Sequence, residues 1–280
     1  MSSATAVRRT AALVKAAHPG PSAAVTVVGT ALAATAGAPA RTCVLLAMAL
    51  LSGQLSIGWC NDAVDRARDL AAGRTDKPVA LGLVSARTVG ACAAVALVGC
   101  VPLSLALGAA AGTVHLVAVG GGWAYDLYLK RTAVSFAAFA VSFGLLPAVA
   151  TLALPHPVVP PWWATAAGAV LGVVAHLANA LPDLDDDVAA GVLGLPQRLG
   201  APATRLLAGL LLAGAAALLT LAPEVPLGAA GVALLVLTAV LLAGAFGRRW
   251  QPGSRAPFAL TVVAALGVVG LLLARGASLA

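Results

Sequence analysis

The sequence predicts an all-α integral membrane protein with nine transmembrane helices. Three observations carry this. Of the 280 residues, 61% are hydrophobic and only 10% are charged, with a mean hydropathy of +0.98. A soluble domain would carry about 25% charged residues. The apolar residues fall in runs close to the ~20 residues that a bilayer helix needs. The basic residues also alternate between dense and nearly bare joins once nine runs are counted.

The elements follow in order. Residues 1–21 form an N-terminal segment with Arg8, Arg9 and Lys15, then His18-Pro19-Gly20-Pro21, expected on the cytoplasmic side. The basic start resembles a secretory n-region, but the many spans behind it favour an uncleaved first helix. Residues 22–280 read as one polytopic membrane domain. Its candidate spans run near 22–38, 42–60, 85–104, 107–125, 133–153, 161–182, 203–222, 225–246 and 256–275. Gly and Pro mark the joins at Gly37-Ala38-Pro39, Pro155-His156-Pro157, Pro160-Pro161, Pro223 with Pro226, and Pro252-Gly253.

With nine spans, one side takes Arg8, Arg9, Lys15, Arg66, Arg68, Arg74, Lys77, Arg87, Lys130, Arg131, Arg198, Arg205, Arg248, Arg249 and Arg255. The other side takes only Arg41 and Arg275. The positive-inside rule then puts the N-terminus in the cytoplasm and the C-terminus across the cell membrane. Trp162 and Trp163, at the outer end of the sixth span, are expected in the interfacial belt. The net charge of +7 is read through the same rule. No contiguous basic stripe is present, so a nucleic-acid partner is not expected. The four cysteines lack CxxC spacing, which argues against a zinc site or a disulfide framework. A modest internal echo, an Asn/Asp cluster ending both the second and sixth spans, suits two four-helix halves plus a ninth helix.

Nine of the ten acidic residues are aspartates, and seven of them form two clusters. The first is Asn61-Asp62-x-x-Asp65-x-x-x-Asp69. The second is Asp183-x-Asp185-Asp186-Asp187. Carboxylates beside lipid are costly and usually mark function. Grouped carboxylates repel one another unless a cation lies between them. Hard oxygen ligands suit Mg²⁺ or Ca²⁺, and Mg²⁺ typically binds through a few carboxylates plus substrate phosphates. The clusters therefore suggest a site for a diphosphate carried on Mg²⁺.

Spacings of three and four put Asp62, Asp65 and Asp69 on one helix face. Asn179, Asp183 and Asp187, four apart, suggest a second face, with His176 one turn earlier. Two such faces can bracket metal ions between helices. A merely solvated acidic loop would use Glu as often as Asp and keep no helical register; neither cluster contains Glu. Among the nearby cations, Arg74, Lys77 and Lys130 are the best placed to hold phosphate oxygens. His115 and Ser142, in mid-span, read as helix-packing hydrogen bonders.

These motifs resemble those of the UbiA superfamily of intramembrane prenyltransferases. NDAVDRARD is similar to the first motif, NDxxDxxxD, at Asn61, Asp62, Asp65 and Asp69. Arg74-x-x-Lys77-Pro78 resembles the RxxRP tail, with Lys in place of the second Arg. YDLYLKRT resembles the Tyr-and-Lys loop through Tyr125 and Lys130, and DLDDD resembles DxxxD through Asp183 and Asp187. The likeness extends over nearly the whole chain. It implies a nine-helix bundle around a central cavity that opens to the cytoplasmic side and to lipid. It also implies Mg²⁺ as cofactor, held by Asp62, Asp65, Asp69, Asp183 and Asp187 as the catalytic set. Asn61, Arg74, Lys77, Tyr125, Lys130, Asn179 and Arg198 are the expected diphosphate contacts. The partners would be an isoprenyl diphosphate donor, the lipid bilayer and an acceptor left open, aromatic or lipid-like.

Two other readings stay open. One is a terpene cyclase of the same fold, because the first span offers no cation between Ser22 and Ala40 to anchor a carboxylated acceptor. The other is a divalent-cation transporter, which would place its charges near the bilayer midplane rather than at one face. Prenyl length and oligomeric state are not legible.

Overall fold

The computed structural model describes residues 3–75, 77–224, 226–246 and 256–280. Among them every regular element is helical. The N-terminal segment, read above as a flank, is mostly a helix, α1 (Ser3–Ala16). It has no long apolar run, only Ala12 and Ala16 one turn apart, and these bury against Val79, Val84 and Val89. Trp59 Nε1 donates to Leu13 O at 2.9 Å and fastens the helix down.

The first apolar run forms α2 (Pro19–Thr35), started by a proline that needs no N–H partner there. The second forms α3 (Ala40–Ala71), 32 residues long. At 1.5 Å per residue it spans about 48 Å. That exceeds a hydrocarbon core of about 30 Å, so α3 can cross and still carry the acidic motif beyond lipid. α3 stops at Gly73, whose φ of 64° is the left-handed conformation that favours glycine. Gly73 N–H donates to Leu70 O and Arg74 N–H to Asp69 O, a closure that reverses the chain over the motif.

Next come α4 (Ala86–Leu105) and α5 (Ala109–Leu127). Ser85 caps α4 by accepting Thr88 N–H at 3.0 Å. The expected fifth span is two helices, α6 (Ser135–Gly144) and α7 (Leu146–Leu152), divided at Leu145 where Pro147 cannot donate. α8 (Trp162–Ala180) is followed by a 3₁₀ turn at Leu181–Asp183 and by α9 (Leu184–Ala189). α10 (Leu195–Leu221) begins earlier than the expected 203 and kinks at Gly200. α11 (Ala229–Phe246) and α12 (Ala256–Ala274) complete the chain. Val225, Arg248, Arg249, Pro252-Gly253 and Arg255, used in the span and charge readings, lie outside the described residues.

Among the described residues five stretches are long and apolar enough to cross a membrane: 40–71, 86–105, 135–152, 162–189 and 195–221. Sequence neighbours pack side by side from α2 to α8 and from α9 to α12, α8 packs directly on α10, and α12 returns to α2 and α8, so the circuit closes. Its core holds Leu32, Leu46, Leu50, Val149, Leu171, Leu212, Leu219 and Leu271. Small residues let the backbones touch. A Cβ on Gly168 would lie 2.5 Å from Phe143 O, and one on Gly172 would strike Phe139 O. His115 bonds Ser104 Oγ at 2.8 Å, and Ser142 Oγ donates to Ala118 O at 2.8 Å.

Two outer-side expectations change. Trp162 is 69% exposed, as a belt residue would be, but Trp163 is 5% exposed and belongs to the core. Arg275 was read only as one of two basic residues on the outer side. It is 2% exposed and donates Nε to Leu219 O at 3.0 Å, so it caps carbonyls at the C-terminal end of α10. Arg275→Ala strands those carbonyls and is expected to cost about 1–3 kcal/mol. Exposed Arg41 supplies the control. Thermal unfolding in detergent should show a lowered midpoint for Arg275→Ala and none for Arg41→Ala; equal midpoints would refute the capping role.

Candidate active site

The face predicted on α3 exists. Asp62, Asp65 and Asp69 are 1%, 2% and 3% exposed, in one line at the end of the helix. Each has a cation beside it. Lys77 Nζ lies 2.7 Å from Asp62 Oδ1. Lys130, buried in the 3₁₀ turn after α5, pairs with Asp65 Oδ1. Arg68 lies 2.7 Å from Asp65 Oδ2 and 3.6 Å from Asp69 Oδ1. Lys77 reaches its partner because the Gly73 turn sends the chain back, and because Val79 and Val84 bury against α1 and α3.

The second motif meets the first across two ion pairs. Arg74 Nη1 lies 2.9 Å from Asp183 Oδ1, and Arg68 Nη1 lies 3.6 Å from Asp187 Oδ1. Gln197 Nε2 donates to Asp187 Oδ2 at 2.8 Å. The continuous face expected from Asn179 through Asp187 does not form. Pro182 breaks the register in the 3₁₀ turn, and Asn179 is left exposed on α8. Asp185 and Asp186 are exposed. Arg198 is exposed and donates Nε to Leu193 O within its own turn, so it is not drawn to the motifs. Tyr125 sets its ring edge-on to Phe139 at 4.9 Å and to His176 at 5.5 Å. His176 itself bonds Ser135 Oγ at 2.9 Å. Ser135 Oγ also accepts Leu195 N–H, so this histidine staples α6, α8 and α10.

Sequence reasoning missed four residues. Arg68 was one of the cations noted beside the first motif but not one of the three judged best placed, yet it bridges both motifs. Gln197 follows the second motif without any spacing signal. Asp126 is 2% exposed in α5 and accepts Asn61 Nδ2 at 2.9 Å; a lone Asp between Tyr125 and Lys130 was the available hint. His18 lies 3.0 Å from Asp62 Oδ1 and 3.2 Å from Lys77 Nζ. It is the one non-glycine residue with positive φ among the described residues, at 50°. Such backbone outliers gather at functional sites.

The donor set is hard oxygen, which fits Mg²⁺ rather than a soft metal. Asp62 Oδ2 and Asp126 Oδ2 are buried with no hydrogen-bond partner. Buried polar atoms of this kind ask for an explanation, and a bound cation is one. Among the described residues no three carboxylate, His or Cys groups converge to enclose an ion. The lysines and arginines hold the carboxylates in pairs instead, so an ion here needs further oxygens from a ligand or water.

The sequence profile described as the UbiA prenyltransferase family matches residues 22–266. The chain belongs to this family. No curated protein matches it. Several solved structures share the UbiA fold. A UbiA homolog from Archaeoglobus fulgidus, bound to GPP and Mg²⁺, superimposes with a TM-score of 0.71 at 15% identity, over 96% of this chain and 100% of that one. An apo UbiA homolog from Aeropyrum pernix K1 gives 0.70 at 19% identity, over 87% and 94%. A digeranylgeranylglyceryl phosphate synthase structure gives 0.68 at 14% identity, over 96% and 98%. UbiA family members are integral membrane proteins, in keeping with the five apolar stretches.

Proposed function

We propose that the chain transfers an isoprenyl group from an isoprenyl diphosphate to an acceptor inside the membrane, with Mg²⁺ as cofactor. One observation carries this reading: two aspartate motifs on separate helices are joined through Arg68 and Arg74 at one end of a closed apolar bundle. The solved homolog that holds GPP and Mg²⁺ supports the donor class. In this reading all nine apolar stretches cross the bilayer, both motifs face the cytoplasm, and a cavity among the helices opens that way and to lipid.

Asp62, Asp65 and Asp69 on α3, with Asp183 and Asp187 at α9, would hold the ions. Mg²⁺ supplies charge neutralisation on the departing diphosphate. Lys77, Lys130 and Arg74, which pair with carboxylates here, turn to the phosphate oxygens. The allylic C–O bond breaks and its electron pair leaves with the diphosphate. Cations aimed at those oxygens act where charge develops, which lowers the barrier. The acceptor carbon attacks the allylic cation and then loses a proton. The apolar bundle keeps water from intercepting that cation.

The test uses purified protein in detergent with isoprenyl diphosphates of graded length and a panel of aromatic and lipid-like acceptors. Diphosphate release should require Mg²⁺, stop with EDTA and return on Mg²⁺ addition, with a prenylated acceptor in the lipid extract. A cyclised product formed without acceptor would reassign the chain as a terpene cyclase. Absence of release with every donor, combined with Mg²⁺ flux in liposomes, would replace the enzyme reading with transport.

A further inference from the structure

α1 carries two apolar faces, and the bundle covers only one. Ala12 and Ala16 bury against Val79, Val84 and Val89. Val7, Ala11 and Val14, spaced four and three apart, share the opposite face. All three are exposed, Val7 by 66% and Val14 by 54%. Thr10, Lys15 and Pro19 join them around a groove of about 620 Å³. Arg8 and Lys15, seven apart and both exposed, border the stripe on one side. No Asp or Glu precedes Asp62 in the sequence, so every charged side chain of this segment is cationic.

A helix face turned to water is ordinarily polar. An apolar stripe bordered by Arg and Lys is instead the make-up of a helix lying in a membrane interface, its aliphatic face among acyl chains and its cations at the headgroups. The groove ends at Pro19, the first residue of α2, so its occupant is reached from the bilayer around the bundle. We propose that this face of α1 is a docking site for an anionic phospholipid. Its acyl chains lie against Val7, Ala11 and Val14, and its phosphate is held by Arg8 and Lys15. The bound lipid steadies the corner in which His18 meets Asp62 and Lys77. Ser22 Oγ donates to Ala17 O at 2.9 Å there, and a Cβ on Gly58 would strike the same carbonyl, so α1 cannot shift without moving against α3. The contact needs the bundle in a bilayer but not the transfer of a prenyl group, so the two readings fail separately.

For the test, the full chain in detergent is titrated with phosphatidylglycerol or with phosphatidylcholine of the same acyl chains, and bound lipid is counted by native mass spectrometry. Wild type is compared with the double variants Arg8→Gln/Lys15→Gln and Val7→Ser/Val14→Ser. Wild type should take up phosphatidylglycerol in preference to phosphatidylcholine. Arg8→Gln/Lys15→Gln should weaken phosphatidylglycerol binding roughly 30-fold, the combined effect of two cations at an anionic headgroup, and leave phosphatidylcholine unchanged. Val7→Ser/Val14→Ser should weaken both lipids alike, because only the chain contact is lost. Added salt should move wild type toward the charge variant, and this series carries the test if a substituted protein does not fold. Equal uptake of the two lipids by wild type, uptake indifferent to salt, or undiminished phosphatidylglycerol affinity in Arg8→Gln/Lys15→Gln would overturn the assignment. A dimer of the chain that Val7→Ser/Val14→Ser dissolves would overturn it too, since a second copy would then occupy the face.

Discussion

Asp65→Ala should reduce Mg²⁺-dependent diphosphate release by at least about 10²–10³-fold, the loss typical of removing one preorganised group that stabilises developing charge. It should also weaken the fold. Asp65 is the junction of the site: Oδ1 pairs with Lys130 and Oδ2 with Arg68, which reaches on to Asp187. Lys130 is 4% exposed. Deleting its carboxylate leaves a buried ammonium uncompensated, and breaking such a pair costs about 3–5 kcal/mol. Rate and thermal midpoint should therefore fall together. Asp185→Ala is the matched control, since Asp185 is exposed and lies off the DxxxD spacing. It should keep both. Robust turnover in Asp65→Ala would remove Asp65 from the catalytic set, and a loss in Asp185→Ala would mean that bulk acidity rather than geometry holds the donor.

Gly172→Leu should prevent recovery of monodisperse folded protein, and Gly172→Ala should cost about 1–3 kcal/mol, occasionally more. Even the alanine Cβ would strike Phe139 O, with Phe139 C and Phe143 Cβ both at 2.8 Å. Two of those three atoms are backbone and cannot rotate aside. α6 and α8 would have to separate, which pulls on the Ser135–His176 bond and on the Leu195 N–H that Ser135 accepts. Gly120, where a Cβ would meet nothing within 4 Å, is the neutral comparison. Size-exclusion profiles and melting curves would decide. A well-folded Gly172→Leu would refute the close backbone approach.

The readable part of the site was the part written in local register. Spacings of three and four named the α3 face, and Lys77 and Lys130 were placed by charge near it. The second face is not continuous, because Pro182, whose missing N–H ends the helix, interrupts the i, i+4 spacing between Asn179 and Asp183. Arg68 was hidden by a rule that explained it too easily. His18 and Asp62 are 44 positions apart, and only the α1–α2 corner brings them together. That corner depends on α1, whose two buried alanines leave no hydropathy signal. Asp126 was a single charge with no repeat to announce it. In each case the missing information was a long-range contact or a break, not a residue preference.

The two acidic motifs are mounted very differently. The first is part of an unbroken 32-residue rod, while the second rides on six helical residues between a 3₁₀ turn and Gly191, at a φ of 73°. The grip is thus a vice with one fixed jaw. A short segment with few internal hydrogen bonds opens at far lower free energy than a long buried helix. In the proposed prenyltransferase reading, exchange of the donor is expected to move the α9 segment, while α3 keeps its alignment.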